Sequence, residues 1–200
     1  MKNSVKLAAL ALVIAATSFS GCKKGENDPF VSLKSRKSRV AGSWKITKGE
    51  GKDVNGSTTT TWTYDGTTWT QTTGSTTTTL TVEQTYTFEK DGTWKGHYME
   101  STTGYSNTVD QTGTWNFTSG VGEMKNKSQI VLMVLTDNST TVIGTSTSTS
   151  STTYTGSNAP TMIYDIDQLK SKEMVWKWKG STASGSATSS DEGMMTATAQ

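Results

Sequence analysis

Cysteine occurs once in these 200 residues, at Cys22, histidine once, at His97, and proline twice. A single thiol forms no disulfide within the chain and leaves neither a Cys-rich zinc site nor a spare thiolate nucleophile. A lone histidine with no Ser or Cys to pair with offers no nucleophile and base couple. The G-x-S-x-G elbow, the H-E-x-x-H helix and a phosphate-cradling glycine loop are missing as well. Asp165 and Asp167, two apart on one expected strand, share its outward face, but calcium needs more oxygen ligands than a pair of acids supplies. The chain is therefore read as a non-enzyme, with no cofactor and no metal.

Long apolar runs are also scarce, and the one that occurs lies at the start. Met1-Lys2 opens a leader with a positive end (Lys2, Lys6), an apolar stretch from Leu7 to Ala16 and small residues Ser20-Gly21 just before Cys22. That stretch is short for a bilayer span and has the layout of a cleaved signal. Phe19-Ser20-Gly21-Cys22 resembles a bacterial lipobox, in which the cysteine thiol carries a diacylglycerol. Residues 1–21 are then a signal peptide, and Cys22 is the lipidation site that holds the protein on a membrane. The alternative is an ordinary secretory leader cut nearby, with an incidental thiol. Lys23, rather than an acid, follows the anchor, as in lipoproteins that proceed to the outer membrane, so the expected location is the cell outer membrane.

Loss of the leader removes two of the 19 basic residues and none of the 17 acidic ones, so the mature chain is formally neutral. A nucleic-acid partner wants a concentrated positive surface, and this chain has none. Residues 22–39 read as a lipidated tether and a short helix. Asp28 is the expected N-cap, Pro29 the first helical residue, and one or two turns are expected over Phe30 to Lys37. The basic cluster Lys34, Arg36, Lys37 and Arg39 reads as a solvated helix face.

From residue 40 to 200 the pattern changes to period two. Threonine fills about a fifth of the chain and, with Trp and Tyr, suits a pleated, half-buried surface. Strands are expected at 42–48, 58–64, 67–73, 77–88, 93–100, 106–118, 129–135, 141–154, 162–167, 173–179 and 193–199, with Asp65-Gly66 and Asp91-Gly92 as hairpin turns. Ile130 to Leu135 is apolar on both faces and should be the most enclosed. Short turns between consecutive strands point to an all-β fold, an antiparallel up-and-down barrel of eight or more strands, with a two-sheet sandwich as the alternative.

Gly42-Ser43-Trp44 opens the first strand just after the short helix. Tyr86-Thr87-Phe88 then precedes Asp91-Gly92-Thr93, followed by Gly113-Thr114-Trp115 and by Ile163 to Leu169 leading into Glu173-Met174-Val175-Trp176. That order resembles the lipocalin-like, calycin-like lipoproteins of Bacteroidetes. The resemblance implies a structural G-x-W motif in which Trp44 plugs one barrel end. It departs where lipocalins place a late arginine on that tryptophan: the last arginine here is Arg39, and Lys177 or Lys179 would stand in.

About eight closed strands leave an interior that is either filled by side chains or holds one small ligand. Trp94, Tyr98, Trp115, Trp176 and Trp178 are the candidate ligand-lining residues, for a small hydrophobic or glycan partner. The other reading makes these rings a solid core and the protein a non-enzymatic interaction or adhesion component of the envelope.

Overall fold

The structure is a computed structural model, and it describes residues 34–118, 129–184 and 187–200. The signal peptide, Cys22 and the helix start proposed at Asp28 and Pro29 lie outside the described residues. The described part is a closed antiparallel β-barrel with one short helix before it, α1 (Arg36–Val40), as expected of a lipocalin-like barrel.

Eleven strands follow α1: β1 (Gly42–Asn55), β2 (Thr58–Tyr64), β3 (Thr68–Thr73), β4 (Thr76–Phe88), β5 (Thr93–Thr102), β6 (Tyr105–Phe117), β7 (Gln129–Ile143), β8 (Ser146–Thr153), β9 (Thr161–Leu169), β10 (Glu173–Ser184) and β11 (Ala187–Ala199). Each pairs with the next around the wall until β11 returns to β1, save that β9 pairs with β7 and not with β8. β8 and β9 both run antiparallel to β7, β8 along its second half and β9 along its first. They act as one strand broken by residues 154–160, so the ring is ten strands round.

The ring does not have the same circumference at both ends. Residues Gly42 to Lys45 of β1 pair directly with Phe88 to Thr85 of β4. Further along, from Gly49, β1 pairs instead with β2, and the β2–β3 hairpin enters the wall between β1 and β4. The barrel is thus eight strands round at its narrow end and ten at its wide end, which widens the lumen in step.

Side-chain length follows the widening. The narrow end is filled by Trp44, Ile46, Tyr86, Phe88, Trp94, Trp115, Ile130, Leu132, Met174 and Trp176, all buried. Their rings meet edge to face, Tyr86 against Trp176 at 5.4 Å and Phe88 against Trp115 at 5.6 Å, the arrangement that aromatic quadrupoles favour. At the wide end the strands are built of threonine and serine, and every residue of β8 is exposed.

The described helix is capped by Ser35, whose hydroxyl accepts the free backbone N–H of Ser38 at 3.1 Å; Phe30, where one or two turns were expected to begin, lies outside the described residues. Three expectations are corrected. The basic face of the helix is not wholly solvated. Arg36, Arg39 and Val40, three and four residues apart on one face, are buried, and an Arg39 guanidinium N–H donates to the Leu169 carbonyl at the end of β9. The strand at Ile130 is enclosed on its inner side alone, since Met133 is exposed; β7 slips its register at Leu135 and runs on to Ile143. The turn around Gly144 then splits β7 from β8 inside the segment read as a single strand from Thr141 to Tyr154.

Candidate functional site

Gly42 begins β1 at a φ of +144°, a conformation L side chains rarely adopt, and it sets the turn by which α1 enters the wall. Two residues on, the Trp44 indole N–H donates to the Val40 carbonyl at 2.7 Å, so the helix end and the first strand are tied across the narrow mouth. Arg39 and Trp44 border one shallow recess of 200 Å³ there. Neither Lys177 nor Lys179 takes the place of a late arginine: Lys177 pairs with Asp167 at 2.8 Å and Lys179 with Glu192 at 3.2 Å, both on the outer wall.

The five candidate lining aromatics fall into two groups. Trp94, Trp115 and Trp176 are 1–2 % exposed and lie in the packed narrow end, so they are core. Trp94 and Trp115 donate their indole N–H groups to the Met133 and Glu89 carbonyls. Tyr98 sits toward the wide end with its hydroxyl on Glu100, 2.7 Å away, and Tyr105 donates to the other oxygen of the same carboxylate. Trp178 borders an opening.

That opening is a seam in the barrel wall. β10 pairs with β9 only as far as Lys177 opposite Asp165, while β9 from Thr161 to Tyr164 stays with β7. Above that point the two strands part, and a cleft of 510 Å³ lies between Thr161, Met162, Ile163 and Tyr164 on one side and Trp178, Lys179 and Gly180 on the other, with Asp191 at its edge. Ile163 is half exposed and the Tyr164 and Trp178 rings stand nearly perpendicular at 5.9 Å. Burial pushes the Tyr164 phenol up to about 12, so it keeps its proton at neutral pH and remains a donor; in this structure it reaches the Met162 sulfur at 3.4 Å.

The floor of the cleft rests on a pair of glycines. Gly51 of β1 and Gly193 of β11 are directly opposite each other, flanked in the same row by Trp62 and Trp178. A Cβ on Gly51 would strike the Trp62 ring, and one on Gly193 would strike both Trp178 and Trp62. The two indoles lie flat over bare backbone and stack 5.8 Å apart, with Trp69 stacked on Trp62 behind them at 4.2 Å. Glycine inside a strand marks such a close approach.

Two residues further toward the wide end, Asp53 of β1 faces Asp191 of β11. Partial burial, and then the Asp191 charge, hold the Asp53 carboxyl above its ordinary range. Asp191 also lies opposite Gly180, where a Cβ would collide with its carboxylate, and the missing side chain lets Asp191 reach over β10 to the cleft.

Residues weighed for other chemistry do not line this cleft. The His97 ring meets Asp110 at 2.7 Å on the exposed outer wall. Asp165 accepts from Gln129 at 3.0 Å, whereas Asp167, displaced by a register shift, is held by Lys177. The two acids therefore have separate partners and do not form a joint site. No group of His, Cys, Asp and Glu suited to a metal ion occurs among the described residues.

Comparison with known proteins finds no matching family model, no similar curated protein and no similar solved structure.

Proposed function

We propose that the protein is a lipid-anchored lipoprotein of the cell envelope, held on the outer membrane through Cys22, whose lipocalin-like barrel binds a small hydrophobic or glycan ligand in the seam between β9 and β10. The observation that carries the reading is the cleft itself. Trp178 and Tyr164 offer flat apolar faces for a ring, Met162 and Ile163 offer adaptable apolar contact, and Thr161, Asp191 and open strand backbone offer hydrogen bonds. The narrow end adds support, because its rings are in mutual contact and belong to the core.

The outer wall is polar, with Glu83, Lys95, His97, Lys177 and Lys179 on it, where a membrane-spanning barrel needs an apolar band. Such a surface fits a barrel held beside a membrane by acyl chains. No enzymatic step is assigned. The envelope-interaction reading draws on a different feature, the wholly exposed hydroxyl strand β8.

Titration of the purified barrel with a panel of apolar and glycan ligands, read by tryptophan emission, tests the proposal. A saturable change that Trp178→Ala abolishes supports it. A flat response across the panel, or one that survives Trp178→Ala in folded protein, makes interaction through the loops and β8 the better account. For the anchor, Cys22→Ala should abolish incorporation of labelled fatty acid, and equal labelling of the variant would refute lipidation there.

A further inference from the structure

Resting on the reading of the seam as a ligand site, we propose that its ligand carries an ammonium group, seated against Trp178 and Tyr164 with its charge toward Asp191 and Asp53. Asp53 and Asp191 stand directly opposite on neighbouring strands, an arrangement that like charges make unfavourable. Among the described residues no cation relieves it. Lys179, the basic residue lining the cleft, is turned outward to Glu192, Lys177 is held by Asp167, and Lys52 alternates to the wall's other face from Asp53.

The acids do not stand alone. The aromatic rings that line the cleft with Asp191 form a wall of the kind that attracts a positive charge through its quadrupole, with Trp the strongest partner. Gly180 keeps the path between Asp191 and the cleft free of a side chain. A ring or methyl-rich body satisfies the indole, and a positive charge next to it also separates the two carboxylates. A neutral ligand does the first and leaves the second undone.

Choline and 3,3-dimethyl-1-butanol, its uncharged carbon isostere, share one shape and differ in charge. Tryptophan emission of the full chain titrated with each should show choline binding about tenfold more tightly. The double variant Asp53→Asn, Asp191→Asn should lose that preference while still binding the isostere, and added salt should weaken choline alone. Equal affinities in the wild type, or a preference that persists in a double variant with unchanged melting, overturns the ammonium inference. If the protein responds to neutral members of the ligand panel but to neither of these probes, the inference alone fails; silence toward all of them removes the ligand reading too.

Discussion

The two ends of this barrel solve the same closure problem by different means. Eight strands at the narrow end bring facing walls close enough for Trp44, Phe88, Trp94, Trp115 and Trp176 to fill the space, so that end is held by packing. At the wide end, where the β2–β3 hairpin has been let into the wall, the strands beyond the Trp62, Trp69 and Trp178 stack are built of Thr and Ser. They meet their neighbours along the wall, as Thr60 does Thr73 at 2.7 Å and Ser139 does Ser150 at 2.8 Å. Stability is concentrated at the end that α1 closes, and the opening with unpaired strand backbone lies away from it. Division of labour of this kind leaves the binding region free to be imperfectly packed.

The largest expected effect comes from truncating the packed end. Trp94→Ala and Trp44→Ala should each cost about 3–5 kcal/mol in urea unfolding, through lost burial and an unfilled cavity. Thr149→Ala, in exposed β8, should stay within about 0.5 kcal/mol of wild type. Similar losses at the two ends would mean that the wide end has a packed core of its own.

Next in size is the glycine row that supports the seam. Gly193→Val forces a side chain against Trp178 and Trp62 and should cost about 1–3 kcal/mol, as overpacking does. Since both indoles must move, the tryptophan emission should shift as well. A variant with wild-type melting and an unchanged spectrum would show that the rings do not lie on this backbone.

Why the seam escaped the sequence reading follows from those same residues. Alternation placed Trp176 and Trp178 on one face of β10 and located all eleven strands, because a period of two survives wherever one face is apolar and the other wet. It failed where both faces are hydroxylic: β10 was expected to end at Lys179 and β11 to begin at Gly193, so Gly180 and Asp191 fell outside any strand. The parting of β9 from β10 depends on pairing between distant segments and leaves no local pattern. The interior glycines at Gly51 and Gly193 were the signal at hand. Nor does composition separate Trp178 from Trp94, since both alternate inward; what distinguishes them is where the barrel widens. The burial of Arg36 and Arg39 was equally hidden, because a short basic run reads as solvated until a barrel end is seen to receive it.

A finer comparison lies within the tryptophans. Trp94 and Trp115 donate to backbone carbonyls, whereas the buried Trp176 Nε1 finds no acceptor among the described residues. Replacement by Phe removes a hydrogen bond in the first two and an unpaired donor in the third. Trp176→Phe should therefore be milder than Trp94→Phe by about 1 kcal/mol. Equal costs would indicate that Trp176 has a partner in solution.

The smallest effect is electrostatic and opposite in sign in two regions. Near the narrow end, Asp91 accepts from the Thr93 backbone N–H and hydroxyl, both at 2.8 Å, and these bonds hold its carboxyl below the ordinary range. That stabilisation is present above the unfolded carboxylate pKa and is lost as the pH falls through the lower folded value. At the seam, Asp53 is shifted upward by burial and by Asp191, so its contribution is present below the unfolded pKa and lost as the pH rises through the folded value. Asp53→Asn should accordingly raise the melting temperature near pH 7, with the gain disappearing near pH 3, where the aspartates are largely protonated. Asp91→Ala should lower it near pH 7, with the loss shrinking in acid. Both changes should be modest, because solvent screens charges at these positions. Thermal melts of the two variants across that range decide the matter: a destabilised Asp53→Asn at neutral pH would mean that Asp53 already has a favourable partner, and the seam would then lack the uncompensated negative charge that sets it apart from the turns.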